Sequence, residues 1–475
     1  NPAQVGTKLA ASHRLIVAPG ETVMTGLVLS REPLADPFAR WEALFALRQS
    51  EATVFYDELL PQATAEDHRI LRQALAGLVW SQQFYWYEVA PWLDGDGHPP
   101  PESRKSGRNR QWRHFRLKAV IAMPDKWEYP WFAAWDLALQ SAGLALLDPE
   151  LAKEQVELLL GADSLHPSGQ LPAYEWDLGD ANPPLHATAA LKVYRAERVQ
   201  SGREDRGFLK RVLHKLLLQL GWWINRKDRE GHNLYEGGFL GLDNISPLNR
   251  SEPLPPGFSL KQADATGWMA LFALDLTLIA LEITVEDPDY EPIAIQCYLQ
   301  FLQIAAGIAG RGEASLSLWD EGDGFYQDLL MGPNGERRRI GVISWVGLVP
   351  LFACEVLDQR LLKAAPRFAA RLAEHGGGGF DGHVVCACPA HENERGEHLL
   401  SLVDPERLSR ILARVLDESE LLSPYGVRSL SKVHAKRQDL GEVPGLGRLH
   451  IDYQPGEAAS GLFGGNSNWR GPVWL

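Results

Sequence analysis

The chain has 475 residues, of which 45% are hydrophobic and 23% are charged, a composition typical of a globular protein. Its 61 acidic residues outnumber its 47 basic residues, and the net charge of −14 argues against general nucleic-acid binding, which depends on lysine and arginine. Four cysteines are too few for a disulfide framework and favour a cytoplasmic location. The N-terminal stretch NPAQVGTKLAAS lacks the features of a secretory signal, and charged residues interrupt the apolar runs before they reach membrane-spanning length.

Residues 1–34 differ in pattern from the rest of the chain. The stretch SHRLIVAPGETVMTGLVLS alternates around Pro19 and Gly20, which predicts a β-hairpin. Because two strands alone do not form a stable unit, we interpret residues 1–34 as the hairpin edge or the linker of an N-terminal β-domain whose earlier part is absent from this chain.

From residue 35 onward, apolar residues recur at a spacing near 3.6, which predicts helices. The predicted helices cover residues 41–60, 65–89, 132–147, 149–161, 184–198, 207–226, 266–283, 292–309, 344–357, 360–374 and 405–416. The helix TGWMALFALDLTLIALEI is apolar on more than one face, as expected of an inner helix surrounded by others. Alternating inner and outer helices predict a mainly α fold, an (α/α)6 barrel over residues 35–475 that lacks its last helix.

The chain contains 16 tryptophans, and many of them stand beside charged residues or glycine rather than within apolar stripes. Trp135, Trp176 and Trp469 are examples. Amphipathic rings next to carboxylates suit a pocket that stacks on sugar faces and hydrogen-bonds sugar hydroxyl groups.

Four loop segments hold the residues that suggest chemistry. In chain order they are WEYPWFAAWD (127–136), GQLPAYEWDLGDANPP (169–184), EGGFLGLDNISP (236–247) and GGNSNWRGPVW (464–474), which we call the first to fourth motifs. Taken singly, each motif also has an ordinary explanation as a helix start, a capped loop or a turn. In the third motif, apolar neighbours surround the carboxyl group of Asp243, and such surroundings raise a carboxyl pKa.

Taken together, the four motifs resemble glycoside hydrolase family 63, and more specifically its bacterial members related to mannosylglycerate and glucosylglycerate hydrolases. The family also includes processing α-glucosidase I, and the resemblance spans roughly residues 94–475. It implies an (α/α)6 barrel of the six-hairpin glycosidase type. It also implies inverting hydrolysis of an α-glucosidic or α-mannosidic bond.

The resemblance implies that Asp243 is the general acid, since Asn244, Ser246 and Pro247 follow it as in the family loop. Extra residues separate Glu236 from Asp243, which departs from the family pattern. The substrate-binding residues implied by the matched motifs are Tyr129, Trp135, Asp136, Gln170, Tyr174, Trp176, Glu236, Trp469, Arg470 and Trp474.

An inverting glycosidase also needs an ionised carboxylate, about 6.5–9.5 Å from the acid, to activate water. In the family this base is a glutamate well downstream of the fourth motif, whereas the present sequence ends at Leu475. We therefore expect the base on a C-terminal segment or a second chain, and little turnover by these residues alone. Neither a cofactor nor a metal is predicted, because Cys386, Cys388, His383 and His391 fit no common zinc spacing.

Two other functional classes remain open. Sugar epimerases and isomerases also use helical barrels and rely on paired histidines, and His166, His186 and His232 lie in or beside the motif loops. The second class is a helical barrel that binds sugar without catalysing a reaction. The expected partner is a small carbohydrate or glycoside, with no nucleic acid and no membrane. The polar loop 94–110 is expected to be a surface loop, with substrate gating as the less favoured role.

Overall fold

The computed structural model describes residues 10–453, except 60, 62, 127–128, 229, 239–245, 251, 311–315, 376–378, 381–382, 385–392, 425 and 452. The chain divides into two compact units, residues 1–74 and 75–475. About 45% of the described residues are helical and the strands are short, so the predicted mainly α class is confirmed.

The first unit contains a long irregular segment followed by helix. Residues 10–40 have no regular secondary structure apart from turns, and one turn is closed by a hydrogen bond from the Glu21 amide to the Ala18 carbonyl at 3.0 Å. No strand pairing occurs within residues 10–34, so the expected hairpin is not formed there. The extended backbone has no partner strand among the described residues, and an isolated pair is unstable. The division into domains 1–34 and 35–475 stays a prediction.

Thirteen α-helices occur among the described residues. They are α1 (Trp41–Leu59), α2 (Ala65–Trp80), α3 (Val89–Leu93), α4 (Glu102–Lys105), α5 (Ala134–Leu144), α6 (Pro149–Leu158), α7 (His186–Ser201), α8 (Arg206–Ile224), α9 (Ala263–Thr284), α10 (Glu291–Ala309), α11 (Gln359–Ala364), α12 (Pro366–Glu374) and α13 (Pro405–Val415). Helix α1 lies in the first unit, and the division between the units falls within α2. The 3-10 helices are Arg110–Trp112, Pro288–Tyr290, Trp345–Gly347, Val349–Phe352 and Lys432–Ala435.

The strands of the second unit form small antiparallel sheets. They are β1 (Gln82–Glu88), β2 (Arg116–Ala122), β3 (Ser259–Lys261), β4 (Trp319–Asp320), β5 (Phe325–Tyr326), β6 (Leu329–Met331), β7 (Arg337–Arg339), β8 (Cys354–Leu357), β9 (Gly379–Phe380), β10 (His383–Val384), β11 (His398–Ser401), β12 (Leu422–Ser423), β13 (Gly426–Val427), β14 (Asp439–Val443) and β15 (Gly447–His450). The order β3-β6-β7 forms a three-stranded sheet, and the other strands pair two by two.

Side-chain contacts fix the directions of the central helices. Thr188 of α7 contacts Asp275 of α9, and farther along both helices Tyr194 donates to Glu282 at 3.2 Å, so α7 and α9 are parallel. The start of α8 meets the end of α9, where Arg206 donates to the Glu282 carbonyl at 2.9 Å, as in an antiparallel arrangement.

The same alternation links α6 to its neighbours. Lys153 near the start of α6 bonds to Glu197 near the end of α7 at 3.1 Å, so α6 and α7 are antiparallel. Glu157 at the end of α6 bonds to Arg211 of α8 at 2.8 Å. Helices α6 and α7 therefore pack as an antiparallel pair, with α8 beside α6.

Helix α9 lies at the centre of the second unit, with all 22 of its residues buried. By length and composition α9 and the segment Pro288–Ala309 would each be able to cross a membrane, contrary to the expectation from the sequence. Both are mostly enclosed by protein, with 100% and 61% of their most apolar windows buried, as is usual for core helices. A second, smaller core lies between the β3-β6-β7 sheet and the β14-β15 hairpin.

Two predicted helices, 65–89 and 344–357, are wrong in part. The stretch 82–88 forms strand β1, in which Tyr85 and Tyr87 are buried and alternate with exposed Phe84 and Trp86. This period of two belongs to a strand, and its aromatic residues favour one. Residues 344–357 form two 3-10 helices and β8, since Pro350 cannot donate a helical hydrogen bond.

Candidate active site

The first and second motifs are neighbours in the structure. The amide of Ala134 donates to the carbonyl of Ala173 at 2.8 Å, and Ala133 pairs with Tyr174 as in an antiparallel ladder. Within the second motif, the Ala173 amide bonds to the Leu178 carbonyl at 3.1 Å. Residues 173–178 therefore form a compact turn, which stands beside the start of α5.

Three aromatic side chains of these motifs form a row. The rings of Tyr129 and Trp131 have centroids 4.4 Å apart, and Trp131 meets Trp176 edge to face at 5.5 Å. Trp176 is 48% exposed. Two of the predicted substrate-binding residues, Tyr129 and Trp176, thus belong to one partly open aromatic surface of the kind that stacks on sugar rings.

The predicted carboxylate and tyrosines of the site lie within electrostatic reach of one another. Burial, opposed by a hydrogen bond with Trp131 and assisted by the nearby Asp136, Tyr174 and Asp180, raises the pKa of Tyr129 to about 12. Burial likewise raises the pKa of Tyr174 to about 12, with contributions from Asp180 and Asp177. Both phenols therefore keep their protons and can donate hydrogen bonds at neutral pH.

Asp180 is a site residue that the sequence reasoning missed. Burial raises the pKa of its carboxyl group to about 7, and repulsion from Asp177 adds to the effect, while the Ala181 amide and Arg226 oppose it. The Ala181 amide donates to the Asp180 side chain at 2.8 Å. The sequence DANPP directly before α7 is the local signal, and it also fits an ordinary helix-starting loop.

Gln170 shapes the second motif from within. Its side-chain amide donates to the carbonyls of Gly179 at 2.7 Å and Asp180 at 3.3 Å, which holds the two sides of the motif together. Gly169 has a φ of +89°, and a Cβ at this position would lie 2.3 Å from the Leu218 carbonyl oxygen. The motif therefore packs directly against the backbone of α8.

The two helix-start residues of the first motif differ in exposure. Trp135 is 9% exposed and belongs to the main hydrophobic core. Asp136 is half-buried in the first turn of α5, where a carboxylate is favoured by the helix dipole. Their roles as substrate contacts stay predictions.

The described part of the third motif holds an ion-pair cluster. Buried Lys261 contacts the Glu236 carboxylate and lies 2.9 Å from Glu230. Asp228, Glu230 and His232 could together hold a metal ion, but Lys261 already supplies a positive charge beside Glu230. Glu236 is thus engaged by a lysine, and its substrate role stays a prediction.

Buried polar groups anchor both ends of the stretch that carries Asp243. Gln262, just before α9, accepts from the Gly238 amide and donates to the Gly238 carbonyl, both at 2.7 Å. On the other side, Arg250 pairs with buried Asp264 at 2.5 Å and donates to the Gly238 carbonyl at 3.3 Å. Asp243 itself lies outside the described residues, as do Trp469, Arg470 and Trp474.

The histidines considered for epimerase chemistry do not form one pair. His166 lies beside His114, with ring centroids 5.4 Å apart, and hydrogen-bonds to Ser168 at 2.8 Å. His186 is completely buried, which lowers its pKa to about 4, and His232 contacts Asp228 at 2.6 Å.

The chain is similar to known proteins in part of its sequence. The family profile described as the mannosylglycerate hydrolase MGH1-like glycoside hydrolase domain matches residues 129–243. The match begins at Tyr129 of the first motif and ends at Asp243 of the third. Residues 129–243 are thus similar to a glycoside hydrolase domain of the mannosylglycerate hydrolase type. The resemblance predicted from the motifs is thereby confirmed.

A longer yeast protein is also similar to this chain. The uncharacterised protein YMR196W of Saccharomyces cerevisiae is 43% identical over 504 residues, covering 100% of this chain and 46% of the yeast protein. The chain thus spans about half the length of that relative.

Two crystal structures from Thermus thermophilus have lower similarity. An uncharacterised conserved protein has a TM-score of 0.48 at 17% identity, over 85% of this chain and 83% of the other. A family 63 mannosylglycerate hydrolase, in complex with Tris and D-glycerate, has a TM-score of 0.38 at 20% identity, over 54% of this chain and 74% of the other. The similarity to a glycoside hydrolase domain therefore depends on the family profile over residues 129–243.

Proposed function

We propose that the protein is an inverting glycosidase that hydrolyses an α-glucosidic or α-mannosidic bond in a small glycoside. The match of residues 129–243 to a glycoside hydrolase domain carries this proposal. The partly exposed aromatic row of Tyr129, Trp131 and Trp176 supports it, because such rings bind the apolar faces of sugars.

Asp243 is the general acid in this proposal. Its carboxyl group donates a proton to the glycosidic oxygen as the bond to the sugar breaks, and a water molecule attacks from the opposite face. Inversion requires a second carboxylate, which accepts a proton from that water. Tyr129, Asp136, Gln170, Tyr174 and Trp176 surround the sugar, with Trp135, Glu236, Trp469, Arg470 and Trp474 as further contacts.

The (α/α)6 barrel is part of the same proposal. Parallel α7 and α9, with antiparallel α6 and α8 beside them, support an inner and an outer ring. In such a ring the loops that precede the inner helices open at one end, and the second and third motifs precede α7 and α9.

The direct test uses the full-length protein with 4-nitrophenyl α-glucosides and α-mannosides. We expect release of the free sugar, and an NMR time course should detect the β-anomer first if the configuration is inverted. Binding of sugar without turnover would instead support a non-catalytic barrel, and early appearance of the α-anomer would contradict inversion.

The role of Asp243 is tested by the substitution Asp243→Asn in the full-length protein. We expect loss of roughly a hundredfold or more in kcat on ordinary glycosides, because proton donation is removed. A glycosyl fluoride, which needs little protonation of its leaving group, should lose much less. Equal losses on both substrates would exclude Asp243 as the acid.

A further inference from the structure

The polar loop 94–110, which its composition predicts to be a surface loop, docks its last residues onto the second motif. Arg108 and Asn109 contact the turn 173–178, while Arg104 lies over Trp92 and donates to the Trp92 carbonyl at 3.1 Å. The loop therefore adds side chains to the aromatic surface of the candidate site.

We propose that Arg108 and Asn109 are positioning residues of the sugar-binding site, which hold the turn 173–178 so that Trp176 is fixed for stacking on a pyranose ring. The inference rests on the proposed function, since it treats Trp176 as a sugar platform. Its structural part, that Arg108 and Asn109 fix the indole, is testable without any turnover.

Asn109 fixes the backbone of the turn. Its side-chain amide donates to the Glu175 carbonyl at 2.7 Å and to the Tyr87 hydroxyl at 3.1 Å, and it accepts from the Leu178 amide at 2.9 Å. Asn109 is 8% exposed and has a φ of 61°, a conformation that asparagine tolerates better than most residues. Without this side chain, the Glu175 carbonyl and the Leu178 amide would lose buried partners.

Arg108 fixes the indole itself. Its guanidinium carbon lies 3.8 Å from the centre of the Trp176 ring and 5.1 Å from that of Trp92, so the planar cation lies over both aromatic rings. Glu175, 3.7 Å away, compensates the charge, and Tyr85 donates to the Glu175 carboxylate at 2.7 Å. Burial raises the pKa of Tyr85, so its hydroxyl remains a donor.

This arrangement leaves part of the platform free. Arg108 covers one region of the Trp176 ring and Trp131 meets it edge to face, yet the residue remains 48% exposed. An indole that is already fixed loses little side-chain freedom when a sugar stacks on it. Arg108 therefore assists substrate binding while it stays apart from the reacting bond.

The test compares variants of the full-length protein on 4-nitrophenyl α-D-glucopyranoside. For Arg108→Met we expect KM to rise about tenfold with kcat nearly unchanged, because a binding contribution is lost without a change in the chemical step. Arg108→Lys should give an intermediate KM, since its ammonium keeps the charge but lacks the planar fit. Asn109→Gly, which tolerates the positive φ, should also raise KM.

Lys105→Met is the matched control. Lys105 lies in the same loop, its side chain is 62% exposed, and it pairs with Glu102. We expect the kinetic constants of this variant to equal those of the wild type. Circular dichroism shows whether each variant is folded. If Asn109→Gly is unfolded, the KM of Arg108→Lys still tests the positioning role.

A second readout is independent of activity. In protein labelled with 5-fluorotryptophan, the resonance of Trp176 is assigned by its loss in Trp176→Phe, and it should shift and broaden in Arg108→Met but not in Lys105→Met. An unchanged Trp176 resonance, or an unchanged KM in both Arg108→Met and Asn109→Gly, would overturn the proposal. Absence of turnover by the wild type would instead contradict the proposed function for this sugar, while the resonance still decides the positioning role.

Discussion

At the scale of single residues, Asp180 gives the candidate site a group that titrates near neutral pH. Burial raises the pKa of its carboxyl group to about 7, and Asp177, Arg226, Tyr129 and Tyr174 are its charged or titratable neighbours. Below this pKa the group can donate a hydrogen bond, and above it the carboxylate only accepts.

We predict that substrate binding changes across this titration. In the wild type, KM should have an inflection near pH 7, and Asp180→Asn should remove it, as measured by KM between pH 5.5 and 8.5. Asp177→Asn is the control, in which the inflection should persist at a lower pH because a repulsive charge is removed. An inflection that survives in Asp180→Asn would assign it to another group.

The same raised pKa affects stability in a defined direction. The unfolded chain ionises Asp180 near pH 4, whereas the folded protein keeps it protonated up to about pH 7. The contribution of Asp180 to the free energy of unfolding therefore falls as pH rises between these two values. The difference between the melting temperatures at pH 5 and pH 8 should be smaller in Asp180→Asn than in the wild type.

At the scale of elements, the packing of the second motif against α8 depends on a glycine. Gly169 combines a φ of +89° with an approach that would place a Cβ 2.3 Å from the Leu218 carbonyl oxygen. An added methyl group must therefore displace backbone on one side of the contact.

We expect Gly169→Ala to destabilise the protein by about 2 kcal/mol or more and to raise KM, because Gln170 follows directly. Gly202→Ala at the end of α7 is the matched control: φ there is +72°, but nothing lies within 4 Å of the added Cβ. The free energy of unfolding of that variant should fall by about 1 kcal/mol, because only the left-handed backbone conformation is unfavourable for alanine. Similar melting temperatures for the two variants would contradict the close approach.

The helices of the second unit could largely be predicted, since their patterns are long and periodic. The expected 149–161 corresponds to α6, Pro149–Leu158, and the expected 266–283 to α9, Ala263–Thr284. The expected 360–374 is split into α11 and α12, because Pro366 begins a new helix. Short strands such as β8 carry too few residues for a period to be recognised.

The candidate site could be predicted only in part. Motif residues Tyr129, Tyr174 and Trp176 do lie together, and a resemblance between loops was enough to group them. Asn109 and Asp180 could not be found that way. Their significance depends on long-range contacts, such as Asn109 to the Glu175 carbonyl, and on burial, neither of which has a periodic signal along the chain.

At the scale of the whole molecule, the fourth motif should meet the other three. The proposed inner ring places the loops before the inner helices at one end, and the second motif precedes α7. Residues 464–474 lie outside the described residues, so this convergence stays a prediction.

Distances between spin labels test it in a cysteine-free variant. We expect Ser168→Cys and Asn468→Cys to be closer than about 30 Å, the length of a 20-residue helix. A label at Val199→Cys, which is exposed near the end of α7, should lie farther from Asn468→Cys. The reverse order would place the fourth motif at the other end and contradict the site assignment.

The complete burial of α9 has a consequence for the slowest motions of the protein. Its backbone amides are enclosed by α7, α8 and α10, and no position along Ala263–Thr284 faces solvent. Deuterium from heavy water can reach such amides only when the surrounding helices separate, so their exchange reports the opening of the entire hairpin assembly. The exchange of the α9 amides therefore reports how readily the second unit opens as a whole.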